Sequence, residues 1–495
     1  MEKSIVKTIN IDQAIKITSG RFQILSTLVF GLGTAIGGFI TFAIPLLLIF
    51  PQFECFNSIT GTYERWERDA ACQAGNWRID GTSERTLNNW ITQMNLFCSE
   101  KWMIGLLGSI YFQGHLLGSV LLANLPDTYG RKRWVRLSIF FHTILFAIMM
   151  FSPDIYMRFT LNFLLGIVGS VRIASWMTAG SEFLPKENQI YSSIVWQVDL
   201  SLITISLALY FWFVNINWIY YFYVALAISV STCFMSLFIP ESPRWLVGTK
   251  KSKEAKEILN RIAAFNSKEQ LPEDLEIIDD KLVVIGSKEV ITTDHKSSTV
   301  SPFKILLSNH IFRYNLVFVS LLWLIGCLMN HIVNYYIKYI KTESIFAIFI
   351  ISGTADIISK GIYTTMMKYL PFKEGTWVLT LMAVISAIWY TLFSFNTSLI
   401  ITMIFCWKLF AGTTFASTFY ASNTMFESKV STTAFGIANI SGKIGASLAP
   451  MMAELPGVYP MMLFAASGWV AIWSIGWMKV PQLAQEDIWE DKKNS

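Results

Sequence analysis

Charge is scarce in this chain. Asp, Glu, Lys and Arg supply 15% of its 495 residues, while 53% are apolar; a soluble protein carries about 25% charged residues. The five histidines and six cysteines show no metal-ligand spacing, so no metal centre is expected. No glycine loop runs into Lys-Ser or Lys-Thr, which argues against an ATP-driven pump. With no His, Cys and carboxylate constellation either, nothing points to an enzyme, and no cofactor is implied. A cleavable signal is not expected: Arg21 precedes the first apolar stretch, but that stretch is too long and lacks a small-residue cleavage site.

What the chain has instead is long apolar blocks. They fall at 22–50, 102–125, 135–152, 155–180, 191–214, 217–239, 313–337, 344–368, 376–395, 399–420, 432–453 and 460–480. Most are about 20 residues long, enough to cross a bilayer core of about 30 Å as a helix. The fold class is therefore an all-α polytopic membrane protein with twelve transmembrane helices in two sets of six. Residues 1–21 form an N-terminal segment and 22–240 a first lobe, whose outer loop is 51–101. Residues 241–310 form a linker, 311–480 a second lobe and 481–495 a tail.

Lysine and arginine set the expected orientation. Lys3, Lys7, Lys16 and Arg21 precede span 1; Arg131, Lys132 and Arg133 follow span 2; Lys250, Lys251, Lys253, Lys256 and Arg261 follow span 6. The loops after spans 3, 5, 9 and 11 have neither residue. Both termini and the linker are thus expected on the cytosolic or an equivalent inner side. The net charge of +5 reflects this bias, and no nucleic-acid partner is read from it; the partners implied are the lipid bilayer and a small solute.

Residues 252–265 (SKEAKEILNRIAAF) place Ala255, Ile258, Leu259, Ile262 and Ala263 on one face, as an amphipathic helix does. Residues 266–300 read as a partly ordered polar linker. Trp66, Trp77 and Trp90 suggest that loop 51–101 is a folded cap. Cys55, Cys72 and Cys98 in that loop allow one disulfide and leave one thiol. Gly31, Gly33, Gly37, Gly38, Gly114, Gly118, Gly442 and Gly445 let helices approach closely in lipid.

Four stretches carry a family resemblance. PDTYGRKR (Pro126–Arg133) resembles the basic loop of the major facilitator superfamily. Glu241-Ser242-Pro243-Arg244-Trp245-Leu246 resembles the motif after helix 6 shared by sugar porters and the organic cation, organic anion and carnitine transporters. MNLFCSEKW (Met94–Trp102) is similar to the second family before its helix 2, and FGIANISGKIGASLAP (Phe435–Pro450) to its helix 11. The resemblance spans nearly the whole chain. It implies the major facilitator fold, with two bundles rocking about a shared site, and carriage of small organic ions.

On that resemblance Lys360 and Lys443 fall where the anion-carrying branch has basic residues, and Lys408 falls on a basic position of helix 10. Each buried lysine costs on the order of 3 kcal/mol by insertion scales. Two readings stand. The lysines attract an organic anion or the carboxylate of a zwitterion, or Lys360 snorkels to the inner face while Lys408 or Lys443 pairs with Asp356 or a helix carbonyl. Trp196, Tyr335 and Tyr363 are candidate walls; Gln113, with His115, is a candidate cavity residue. Arg172 and Asp199 lie at similar depth, about 12–13 Å from the inner ends of spans 4 and 5, and are expected to form an intramembrane ion pair.

Asp127, Gly130, Arg131, Lys132, Glu182, Glu241 and Arg244 match the family's gating positions. Others depart from it. Asn162 and Gln189 stand where arginines are expected, Pro371-Phe372-Lys373 replaces Gly-Arg-Arg, and Thr424 and Ser431 replace an acid and an arginine, with Glu427 and Lys429 between them. The outer loop has no glycosylation acceptor, and Asn396-Thr397-Ser398 lies tight against the membrane. Two functions are expected in consequence. One is transport of a small organic anion or zwitterion, favoured over a cation, by alternating access. The alternative is a transport-inactive facilitator fold serving as a structural subunit among other subunits of a membrane complex. Either the plasma membrane or an internal one, such as a mitochondrial membrane, fits.

Overall fold

A computed structural model describes residues 7–479 apart from 59–60, 123, 274, 279–301, 341, 343, 394–396 and 427. The glycosylation acceptor Asn396, Glu427, the side chain of Lys429, most of the polar linker and the tail 481–495 lie outside the described residues.

Twelve long helices make up the body. In the first lobe they are α1 (Arg21–Leu47), α2 (Lys101–Leu122), α3 (Arg131–Met150), α4 (Ile155–Glu182), α5 (Gln189–Phe213) and α6 (Trp218–Ser236). In the second they are α7 (His310–Tyr336), α8 (Ile345–Tyr369), α9 (Phe372–Phe393), α10 (Thr397–Thr424), α11 (Ser428–Ala453) and α12 (Tyr459–Trp477). Helices suit these apolar runs because lipid offers no partner to a backbone N–H or C=O. Short polar residues start several of them: Asp154 accepts from the Tyr156 and Met157 amides at α4, and Asn309 from Ile311 and Phe312 at α7. The helix α1 is in three pieces, interrupted around Gly37 and before Pro45.

Eleven of the helices are long and apolar enough to cross a membrane. The remaining one, α11, is rich in Ser, Thr and Gly and carries Lys443. It can afford this polarity because it packs against α7 and α2. A side chain on Gly445 would strike the Leu324 carbonyl of α7, and one on Gly114 would strike the Phe163 carbonyl of α4. The lobes meet along α2–α11 and α5–α8. Gly108 of α2 faces Pro450 of α11 and Tyr335 of α7, and Gly353 of α8 faces Ile205 of α5.

The face carrying Lys7 and Lys479 is labelled inner, after the orientation that the basic residues imply. On the opposite face, loop 51–101 is a folded cap. Strands β2 (Phe53–Asn57), β3 (Thr62–Trp66) and β4 (Trp77–Ile79) form an antiparallel sheet in the order β3-β2-β4. Phe53, Trp77 and Phe97 pack edge to face, and Cys72 is bridged to Cys98, leaving Cys55 as a buried thiol. On the inner face, β1 (Lys7–Asn10) pairs in parallel with β5 (Leu275–Ile278). The two strands pack with the helices Ile11–Thr18, Pro243–Gly248 and Ser252–Phe265 around Ile11, Ile15, Leu246, Leu259 and Ile277.

Candidate substrate site and gate

Halfway along the second lobe, three helices converge on one carboxylate. Asp356 of α8 receives Lys360 at 3.4 Å, one turn along the same helix, and Lys408 of α10 at 3.7 Å. Its other oxygen accepts a 2.8 Å hydrogen bond from Ser201 of α5, across the lobe boundary. Lys408 also donates to Asn330, at 2.9 Å to the side chain and 3.1 Å to the carbonyl. Lys360 is buried rather than snorkelling to the inner face, and points between Asp356 and the Gly412 carbonyl. These two lysines therefore share one carboxylate, which offsets half of their charge from within.

Lys443 differs. It is only partly buried and, among the described residues, has neither an ion pair nor a hydrogen bond. Cys327 and His331 of α7 and His115 of α2 lie within reach of its charge. His115 donates or accepts at Ser119 through Nδ1 (3.3 Å), while its buried Nε2 has no partner among the described residues. The His331 ring rests against Phe112 of the first lobe, with centroids 4.9 Å apart. This point thus combines a free cation, two imidazoles and aromatic edges from both lobes.

The expected Arg172–Asp199 pair is not formed. The Arg172 guanidinium turns to the broken part of α1 and donates to the carbonyls of Gly33 and Thr34, the latter at 3.0 Å. The break supplies this alternative, because a helix interrupted at Gly37 leaves carbonyls without their own amides. Asp199 instead faces Gly31 and has no hydrogen bond or ion pair among the described residues.

The other candidates are dispersed. Trp196 is buried against Gly31 and Gly180, inside the first lobe. Tyr335 donates at 3.3 Å to the Gly108 carbonyl on the lobe seam. Tyr363 packs beside Tyr420. Gln113 is partly buried on α2 and makes no hydrogen bond among the described residues.

The first-lobe gate residues do come together. Glu241 accepts from the backbone amides of Arg131 (2.9 Å), Lys132 (3.0 Å) and Ser242 (3.0 Å). Its carboxylate thus caps the positive N-terminal end of α3. Gly130 is required there: its φ of 97° disfavours a side chain, and a Cβ would strike Glu241. Arg131 reaches Glu182 at 3.0 Å and also contacts Asp127. Lys132 contributes its backbone amide to this cluster.

Arg244 pairs at 2.5 Å with Asp12, a residue the sequence reading passed over, and donates to the Leu184 carbonyl. Burial pushes the Asp12 carboxyl up, but hydrogen bonds from Arg244 and the Lys186 amide outweigh it and hold the group below its ordinary value. In the second lobe, Thr424 and Ser431 bond to backbone carbonyls of Tyr420 and Ser422.

Two more features were missed. At the outer end, Lys338 and Glu454 form a buried pair at 2.5 Å, and Tyr339 donates to the same carboxylate. Arg85 of the cap donates to the carbonyls of Lys338, at 2.8 Å, and Ile340. The first pair had a signal: both residues directly follow the outer ends of spans 7 and 11, and so share a depth.

Residues 85–450 match the sequence profile of the Major Facilitator Superfamily. The chain belongs to this superfamily. Facilitators are multi-pass membrane carriers rather than enzymes. This facilitator is 24% identical over 410 residues to organic anion transporter 3 of Oryctolagus cuniculus, covering 79% of this chain and 73% of that one. It is 30% identical to solute carrier family 22 member 2 of Rattus norvegicus over 183 residues, 36% of this chain and 32% of the relative. Its fold is similar to that of the xylose transporter XylE of E. coli in a partially occluded inward-open conformation. The TM-score is 0.63 at 13% identity, covering 93% of this chain and 98% of that one.

Proposed function

We propose that this facilitator carries a small organic anion or zwitterion by alternating access, with Lys443 as the group that meets the substrate carboxylate. The observation carrying this reading is the contrast among three lysines: Lys360 and Lys408 already share Asp356, whereas Lys443 has no partner among the described residues. Among the described residues, Arg172, Lys360, Lys408 and Lys443 lie within their helices together with the acids Asp199 and Asp356, an excess of two positive charges. A buried excess of this kind is costly unless water or an anion offsets it. The relative named organic anion transporter 3 supports the same sign of substrate.

The test is uptake into proteoliposomes of three probes: an aromatic carboxylate, a carnitine-like zwitterion and a quaternary ammonium cation. The expected result is uptake of a carboxylate-bearing probe that falls at least tenfold in Lys443→Ala and partly recovers in Lys443→Arg. Cation uptake alone, or carboxylate uptake unaffected by Lys443→Ala, overturns the reading.

One observation favours the structural-subunit reading. Thr424 and Ser431, where charged gate residues are expected, bond to helix carbonyls of their own lobe. The native mass of the gently solubilised protein decides this: a fixed-composition complex, with no uptake of any probe, would replace the carrier reading.

A further inference from the structure

At the inner end of the first lobe, a groove of about 440 Å³ runs between α1, α6 and the amphipathic helix Ser252–Phe265. Its walls are Leu25 and Val29 of α1, Phe238 and Ile239 after α6, and Ile258 and Phe265 of the amphipathic helix. Several of these apolar side chains are left uncovered: Phe238 is 74% exposed, Phe265 57% and Leu25 51%. The groove reaches along α1 from Phe22 to Phe30, about 12 Å of helix, which takes it from the interface into hydrocarbon depth.

Arg261 is the one charged residue lining this groove. It is exposed and has no ion pair or hydrogen bond among the described residues; Glu257, one turn back on its helix, does not pair with it. A second cation sits close by: Arg136 donates to the carbonyls of Ser236, Leu237 and Ile239, the last of these in a groove residue. The amphipathic helix itself is held by Ala255, Leu259 and Ala263, which are buried away from the groove. Its groove side is therefore free to take a ligand without disturbing the inner core.

We infer that this groove is a binding site for one anionic phospholipid, with an acyl chain between α1 and α6 and the headgroup phosphate at Arg261. The chemistry requires both parts. An apolar chain covers the exposed Phe and Leu side chains, and a negative headgroup answers a lone guanidinium at the inner surface, where basic residues attract anionic lipids. Bound there, the lipid pins the amphipathic helix, and with it the start of the lobe linker, to α1 and α6.

The experiment is native mass spectrometry of the full chain released from nanodiscs containing equal amounts of phosphatidylglycerol and phosphatidylcholine. Retention of one phosphatidylglycerol with about fivefold preference is expected, the preference one basic contact confers. Arg261→Ala should abolish the preference with an unchanged circular dichroism spectrum, and Arg261→Lys should keep it. Equal retention of both lipids by the natural chain overturns the proposal. So does an unchanged preference in Arg261→Ala, or displacement of the lipid by oleate at equal concentration, which would mark a fatty-acid site. The readout needs no transport, so it stands or falls apart from the carrier reading.

Discussion

Removing one partner of the Lys338–Glu454 pair should destabilise the protein far more than removing both. The two side chains are 1% and 5% exposed and their charged atoms lie 2.5 Å apart. In Glu454→Gln the Lys338 ammonium keeps its charge and loses its carboxylate; in Lys338→Met the carboxylate keeps only the Tyr339 hydroxyl. Breaking a buried pair by one partner costs about 3–5 kcal/mol, whereas replacing both with apolar groups of similar volume is often neutral. A polar hollow of about 690 Å³ adjoins the pair, and water entering it would favour the lower end of that range. The assay is thermal or SDS-induced unfolding of four proteins in one detergent: the natural chain, each single variant, and Lys338→Met with Glu454→Leu. Both single variants should lose about 3 kcal/mol or more, and the double variant less than either. Additive losses would refute the reasoning, because they would mean that the two charges are solvated independently.

Three further outcomes are expected. Hydrogen bonds from Thr82, then Arg65, hold buried Asp80 below its ordinary value of 3.8. Its contribution to the cap is thus complete above that value and lost as pH falls through the lowered one, so hydrogen exchange across 51–101 should rise at acid pH in the natural chain and lose that step in Asp80→Asn. Gly114→Val puts a branched side chain into the Phe163 carbonyl and should lower the unfolding free energy by about 3 kcal/mol or prevent assembly; a melting temperature unchanged within a degree would count against the α2–α4 contact. Glu241→Gln keeps an acceptor for the three amides but removes the negative charge from the end of α3, so a loss of about 1 kcal/mol is expected, read by unfolding at low and high salt, with a smaller difference at high salt.

The apolar runs made the helices legible, since lipid leaves a long apolar segment little alternative. The clustering of the candidate gate residues was legible for a different reason: they lie at loop ends next to span boundaries, where motif and depth coincide. Asp12 escaped because nothing in its local sequence says that residues 7–18 fold back against the helices Pro243–Gly248 and Ser252–Phe265. The Arg172–Asp199 expectation failed because depth alone ignores azimuth, and because the interruption of α1 at Gly37 offers Arg172 carbonyls that an unbroken helix would have used. For the lysines, the sequence left two readings open: Lys408 does pair with Asp356, as does Lys360, while Lys443 does not. Which lysine met the acid depended on helix rotation, which spacing along the chain does not encode.

The parallel pairing of β1 with β5 has a consequence for biogenesis. Residues 7–10 leave the ribosome well before their partner strand, which begins at Leu275. At about 5–20 residues per second, synthesis of the intervening six helices takes roughly 13–50 s. Strand β1 therefore has no partner strand until the first lobe has been synthesised, and the sheet can close only once the first half of the protein has left the ribosome.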